Sequence, residues 1–403
     1  MSYLHGIEIR EGAKNVVIAT GDTSVIALIG TAPKGSVNEI KLITSLDAAR
    51  QEFGADVAGF TIPAALEVIF SKVGAKVIVV NVLSADKAAA LLEEDGKMTR
   101  NEAGELATNI YRASLPELVD YTADIVKGIG LVENSGDTLG LKPNVLIAPG
   151  YSQLAGVSAK LVTVAEKLNG FAVIDVVAAD VQAALTARNS GTYNITSQAA
   201  VLCYPTVLRF NEHENTTDEI GLSVFWAMCK AARDAEKGYW ISPSNTELSG
   251  VTGITANVTS SLTDPAADTN LLNGAGIVTV FRKTGSGTRL WGNWTAAFPS
   301  AKTPDCMIAP RAVRMAIREA LINAALNYID KTPTLIAVDM VAGDVNEFLR
   351  SLAGSDAIAE GECRFDDEKN TADLIAQGKL TFVLSVKYQS SLECLTFEEV
   401  VEY

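Results

Sequence analysis

Ile7 and Ile9 alternate with Glu8 and Arg10, the two-residue period of a half-buried strand, and Gly12 and Gly21-Asp22 break the run. The opening residues therefore read as a strand-forming arm. The next apolar block, 25–29, is unbroken, as in a strand covered on both faces, and stops at Gly30-Thr31-Ala32-Pro33-Lys34-Gly35. Residues 45–53 predict a short helix with Ser45 as its cap and Gly54 just past its end. A second helix is expected over 63–72 and a buried strand over 76–83. The alternation resumes with a strand over 145–148 stopped by Pro149-Gly150, a helix over 158–168, a strand over 172–177, a helix over 180–188 and a strand over 200–208 around Pro205. A strong helix is predicted over 218–237, with Leu222, Phe225, Trp226, Cys229 and Ala232 on one face and Gly238 ending it.

The last third changes character. A strand over 276–282 and a returning strand over 289–294 flank the glycine-bearing turn at 283–288. A helix over 310–330 carries Val313, Ile317, Leu321, Ala324 and Tyr328 inward. Another is expected to start at Asp344, with Glu347 three residues on in a capping-box spacing and Gly354 as its stop. Near the C-terminus Phe382, Leu384, Val386 and Tyr388 alternate with Val383, Ser385 and Lys387, and a further extended piece follows over 392–397. The expected fold class is α/β with α+β features: several domains, mixed sheets flanked by helices, and strand-forming arms at both ends. A terminal strand of this kind can pair at home or add to a neighbour's open edge. The expected divisions are an arm at 1–23, a small α/β domain at 24–92, a central outer α/β domain at 93–280, and a C-terminal domain at 281–403 whose residues 380–403 form a second arm.

Composition narrows the function. The 403 residues are 48% hydrophobic and 20% charged, an ordinary globular balance that excludes wholesale disorder. Lys and Arg total 33 against 48 Asp and Glu, a formal charge of -15, which argues against a nucleic-acid-binding surface. Two histidines and five dispersed cysteines, with no C-x-x-C, leave little material for a metal or thiol centre and suit a reducing compartment. Met1 to Gly6 shows no basic stretch followed by an apolar run, so no secretory signal is expected, and the densest apolar stretch, 77–83, is far too short to cross a bilayer.

No catalytic motif survives inspection. The G-x-x-x-x-G spacing at Gly30 and Gly35 is followed by Ser36-Val37, not by the Lys-Ser/Thr of a phosphate loop, and Pro33 removes a backbone donor. Gly285-Ser286-Gly287 lies between strands, where a hairpin turn explains it. His5 and His213 lie in an arm and a polar loop, no G-x-S-x-G occurs, and no carboxylate pair stands out. One charge pattern does stand out. Arg311, Arg314 and Arg318 fall at i, i+3 and i+7, a stripe that is either a solvated helix face or a docking surface for an acidic partner or neighbouring subunit.

Six segments in order along the chain resemble contractile tail sheath proteins of bacteriophages and phage-tail-like particles. They are 24–35 after the opening arm, 142–150, 238–245 with Gly250, 289–292, 365–371 and 378–382. Where the family's Trp-Gly pair is expected to lead into Arg-Thr, this chain has Asn293-Trp294-Thr295. The resemblance implies a non-enzymatic subunit without cofactor or metal. It would stack as sixfold rings around an inner tail tube protein and contract to drive the tube through a target cell envelope. It implies an inner domain made by the N-terminal arm with 281–403, and arms that add strands to adjacent subunits, with Ile7, Ile9, Phe382, Leu384, Val386 and Tyr388 as the strand positions. Expected partners are further copies of the chain, the tube, and baseplate and tail terminator proteins, with no direct nucleic acid and no membrane insertion. The expected place is a virion tail or phage-tail-like particle assembled in the bacterial host cytoplasm. The tube contact would fall on the helix over 310–330 or that over 344–353. The competing expectation is a soluble cytosolic α/β enzyme with a loop-borne carboxylate site.

Overall fold

The computed structural model describes residues 20–92, 121–282 and 287–401, together with Ile18, Lys97 and Gly285. The predicted strand of Ile7 and Ile9 lies outside the described residues. Two compact units are distinguished, the larger built by Asp22–Met315 with Ser390–Tyr403, the smaller including Ala316–Gln389.

The larger unit is organised by one eight-stranded sheet. Its strands are β1 (Val25–Gly30), β2 (Ile40–Ile43), β3 (Lys76–Asn81), β4 (Val145–Ile147), β5 (Phe171–Asp175) and β6 (Ala200–Cys203). After an excursion through β7 (Val207–Asn211), β8 (Thr216–Ile220) and β9 (Val251–Ile254) they resume with β10 (Ile277–Arg282) and β11 (Thr288–Trp291). The spatial order is β11-β10-β6-β5-β4-β1-β3-β2. The six inner strands are parallel, and β2 and β11 close the two sides antiparallel. Parallel neighbours need crossovers, and these supply the covering helices. They are α1 (Leu46–Phe53), α2 (Thr61–Phe70), α3 (Ala85–Ala89), α4 (Thr122–Val132), α5 (Ser135–Leu139), α6 (Ala155–Leu168), α7 (Val181–Ser190), α8 (Leu222–Lys237) and α9 (Asp268–Gly274).

The alternation within β1 shows why both faces are apolar. Ile26 and Leu28 join a core with Phe53, Leu66, Phe225 and Trp226 of α1, α2 and α8, while Ala27 and Ile29 join a second core with Ile125, Ile129, Leu161 and Val164 of α4 and α6. Local signals are where the sequence placed them for α1: the Ser45 hydroxyl accepts from the Ala48 N–H at 3.3 Å, and Gly54 ends the helix at φ +92°.

Four expectations need correction. The 24–92 segment is no separate domain, because β1, β2 and β3 share the large sheet with β4 to β6. The strand expected over 200–208 is two: Pro205 cannot donate a ladder hydrogen bond, and beyond it β7 enters a separate three-stranded sheet in the order β8-β7-β9. Residues 218–220, read as helix, finish β8 instead, paired with β7, and α8 begins at Leu222. The expected boundary at 281 runs through β10, whose partners β6 and β11 keep it in the large sheet.

The smaller unit follows α10 (Ile308–Ala325), within which the division between the units falls. It contains α11 (Leu335–Gly354), β12 (Ile358–Phe365), α12 (Ala372–Ala376) and β13 (Phe382–Tyr388). The start of α11 is nine residues earlier than the capping-box spacing suggested: the Thr334 hydroxyl accepts from the Ala337 N–H at 3.2 Å, and Asp344 is buried mid-helix as the acceptor of the Tyr328 hydroxyl. Threonine and aspartate both cap helices, so only packing chose between them.

Candidate assembly surfaces

The smaller unit's two strands form a sheet of their own. β12 pairs antiparallel with β13, Cys363 lying opposite Leu384 and Phe365 opposite Phe382. The connection is pinned by the buried Asn370, whose Nδ2 donates to the Asp366 and Thr381 carbonyls at 2.7 Å each and whose Oδ1 accepts from the Thr381 N–H at 2.7 Å. Gly361 has no Cβ to meet Leu349, which would stand 3.1 Å away, so α11 lies close on the sheet. The rings of Phe365 and Phe382 meet edge to face at 5.6 Å.

Among the described residues one edge of this sheet is covered by a side chain and the other has no strand partner. On β12, Asn346 of α11 takes both backbone groups of Cys363: its Nδ2 donates to the carbonyl at 2.7 Å and its Oδ1 accepts from the N–H at 2.7 Å. Cys363 therefore turns its backbone away from β13. In an antiparallel ladder the residue opposite does the same, so Leu384 and its i±2 neighbours Phe382 and Val386 point their N–H and C=O groups to the outer side of β13. No strand among the described residues pairs there. Phe382, Leu384, Val386 and Tyr388 are thus not a free arm, as the sequence pattern suggested. They pair at home, because β12 offers a complementary strand only seventeen residues upstream, and among the described residues no strand covers the outer side of Phe382, Leu384 and Val386.

A segment outside the sheets lies further on. Residues 390–401 have no regular secondary structure, and Leu392, Leu395, Phe397, Val400 and Val401 are exposed, Phe397 at 89%. A second apolar surface lies in the smaller unit around the α10–α11 turn, where Ile322, Leu326 and Ile329 fall at i, i+4 and i+7 and are followed by Leu335 and Ile336. All five are exposed, Leu335 at 82%.

The arginine stripe is broken up by packing. Arg311 is buried: its Nη2 donates to the Gly170 carbonyl at 3.1 Å and its guanidinium lies 5.4 Å from the centre of the Phe171 ring. Arg314 is ion-paired with Asp305 at 2.9 Å and reaches Gln198 at 3.4 Å. Arg318 is exposed. The expected docking stripe is corrected accordingly, since an arginine's long stem buries readily when a carbonyl and a ring receive its head.

At the Gly30–Ser36 turn the Thr31 N–H donates to Thr61 Oγ1 at 3.1 Å and the Ala32 N–H to Asn81 Oδ1 at 3.2 Å, so two of the turn's backbone donors are engaged within the fold. His213 sits at the β7–β8 turn, its N–H donating to Asn211 Oδ1 at 2.9 Å. Among the described residues no group of three or more His, Cys, Asp or Glu could hold a metal ion, and no helix is long and apolar enough to cross a membrane. Burial pushes the Cys229 thiol up to about 12, far from a reactive thiolate.

Comparison with known proteins covers the whole chain. Residues 122–296 match the model of the phage tail sheath protein central domain, and residues 23–82 that of the tail sheath protein Gp18 domain III N-terminal region. The tail sheath protein of Burkholderia phage BcepMu is 32% identical over 98% of this chain and 96% of its own length. That of Escherichia phage P2 is 25% identical over 98% and 95%. Among solved structures, the sheath complex of the extracellular contractile injection system PVC in its contracted state superposes with a TM-score of 0.71 at 15% identity, covering 99% of this chain and 98% of the other. The helical sheath of the anti-feeding prophage, also contracted, superposes at 0.67 with 19% identity and 99% of each chain.

Proposed function

The chain belongs to the phage tail sheath family, and from that premise we propose that it polymerises as stacked sixfold rings around an inner tube and shortens to drive the tube through a target envelope. The family is structural, and the enzyme alternative finds no support in it. Further copies of the chain are the principal partner, with the inner tube, a baseplate and a tail terminator completing the particle in the host cytoplasm. The similar structures, a helical sheath and a baseplate of the anti-feeding prophage, support the first and third of these.

The observation that carries the reading is that one chain presents both halves of a strand exchange. Among the described residues no strand pairs with the outer side of β13 at Phe382, Leu384 and Val386, which we assign as the acceptor, and the exposed apolar side chains of 390–401 mark the segment we assign as a donor. The sequence places Ile7 and Ile9 in a second donor. Backbone hydrogen bonds then tie subunits while their bodies stay free to turn. The apolar surface around Ile322, Leu326, Ile329, Leu335 and Ile336, with Arg318 one helical turn from Ile322, is the contact we assign to the tube. Deleting residues 390–403 tests the exchange. Negative-stain microscopy should show loss of tubes while the thermal unfolding of the shortened chain stays close to that of the parent; tubes of ordinary length from the shortened chain would refute donation by this segment.

A further inference from the structure

The C-terminal segment is not adrift in this structure. Among the described residues none of 390–401 makes a backbone–backbone hydrogen bond, yet one side chain is anchored. The Glu393 carboxylate accepts from Trp294 Nε1 at 3.0 Å and from Asn293 Nδ2 at 3.3 Å, both on the same unit of the fold. The receiving surface is built in advance. Asn293 is oriented by Ser242, whose hydroxyl donates to Asn293 Oδ1 at 2.6 Å and so turns the amide nitrogen outward. Trp294 is stacked on Phe298 with ring centres 4.4 Å apart and planes at 23°, which fixes the direction of its N–H. The Asn293 carbonyl accepts from the Ile308 N–H at 2.8 Å, and the Thr295 N–H donates to the Cys306 carbonyl at 2.9 Å, so the strip carrying both donors is held on each side.

We propose that the shelf of Asn293, Trp294 and Phe298 is a docking site for the chain's own C-terminal segment, holding it on its own body until a neighbouring subunit takes it. The inference rests on the strand-donation reading above. Its physical sense lies in the balance of contacts. A single carboxylate with two donors is charge-assisted but weak enough to break, whereas a neighbour's β13 edge offers a ladder of backbone bonds and cover for Leu395 and Phe397. Glu393, Leu395 and Phe397 fall on one face of an extended chain, so holding Glu393 also holds the apolar face that a neighbour would bind. A subunit whose strand is held is not competent to donate, and its apparent affinity for the growing tube falls by the fraction that is free. The shelf would thus keep newly made subunits from joining one another indiscriminately.

The test is the critical concentration for tube formation, read by light scattering and sedimentation. E393A should lower it by about five-fold, and W294F, which leaves the Asn293 bond, should lower it by less. The double variant should do no more than E393A alone, because the two residues act through one contact. E398A makes the same charge change on the same segment without touching the shelf and should have a clearly smaller effect. An unchanged or raised critical concentration in E393A, additive single effects, or an equal effect of E398A would each overturn the proposal. Chymotryptic cleavage at Leu395 and Phe397 reports the docking independently of assembly: the parent should be protected relative to E393A, and equal cleavage rates would sink the shelf even if deletion of 390–403 abolishes tubes. Conversely, protection that is lost in E393A together with tubes that survive the deletion would leave the shelf standing and remove the donation reading.

Discussion

Asp175 shows how much a single buried group decides. It ends β5, and its carboxylate accepts from the Ser223 N–H at 2.8 Å and the Ser223 hydroxyl at 2.6 Å, at the first turn of α8. Gly221 is required beside it, because a Cβ there would stand 2.2 Å from Asp175 Oδ2. Burial pushes the carboxyl up to about 6, against the pull of those hydrogen bonds, with Glu219 adding in the same direction as burial. A carboxyl raised above its unfolded value contributes stability below about pH 4 and loses it as the pH rises through about 6, roughly 3 kcal/mol over that window. Asn at this position keeps an acceptor for the Ser223 N–H and can donate to its hydroxyl. Asp175→Asn should therefore be at least as stable as the parent at pH 7.5 and should lack this part of the slope between pH 4 and 6. Urea titrations at the two pH values check it, and a parent-like slope in the variant would count against the assignment. The arginines teach the same lesson in reverse: Arg311, Arg314 and Arg318 have the same residue type and a helical spacing, yet only the third is exposed.

At the scale of elements, the β12–β13 sheet makes a register-specific prediction. Leu384 is inferred to turn its N–H outward, so Leu384→Pro removes no bond to β12 but deprives an incoming strand of a donor. Tube formation should be lost while the melting temperature falls by only a few degrees. Val383→Pro, whose N–H faces β12 in the same register, should unfold the sheet instead, a difference measurable by circular dichroism and microscopy on the pair. If both variants assemble, the outer edge of β13 is not an acceptor. The alternating pattern of 382–388 was legible as a strand from the sequence, but its partner was not. Asn346 lies seventeen residues before Cys363, and nothing in the pattern of α11 announces that its amide will occupy the edge of β12.

For the whole molecule, charge and apolar area oppose each other. Each subunit carries a formal charge of -15, so packing many copies side by side works against like-charge repulsion. Salt screens that repulsion over about 8–10 Å at moderate ionic strength, while apolar burial persists. Raising sodium chloride from about 50 to about 300 mM at neutral pH should lower the critical concentration for tubes, in the direction expected from that screening. A rise would mean that ion pairs between subunits dominate. At ~25 cal/mol per Å², every ~100 Å² of apolar surface newly buried between subunits would contribute about 2.5 kcal/mol against that repulsion.

Local order along the chain is enough for helix α1 with its Ser45 cap and Gly54 stop, the doubly covered strands of the inner sheet, the strand over 382–388, and the family through six ordered segments. These are properties of neighbours along the chain, where period, capping residue and glycine act within a few positions. Packing across the chain settles which strands share a sheet, that 24–92 is no separate domain, that Arg311 is buried, and that β13 is paired on one side with no strand among the described residues on the other. Each of those outcomes depends on a residue distant in sequence: Gly170 for Arg311 and Asn346 for the edge of β12. A backbone group's partner across such a span is set by the packing of whole elements, which local periodicity does not encode.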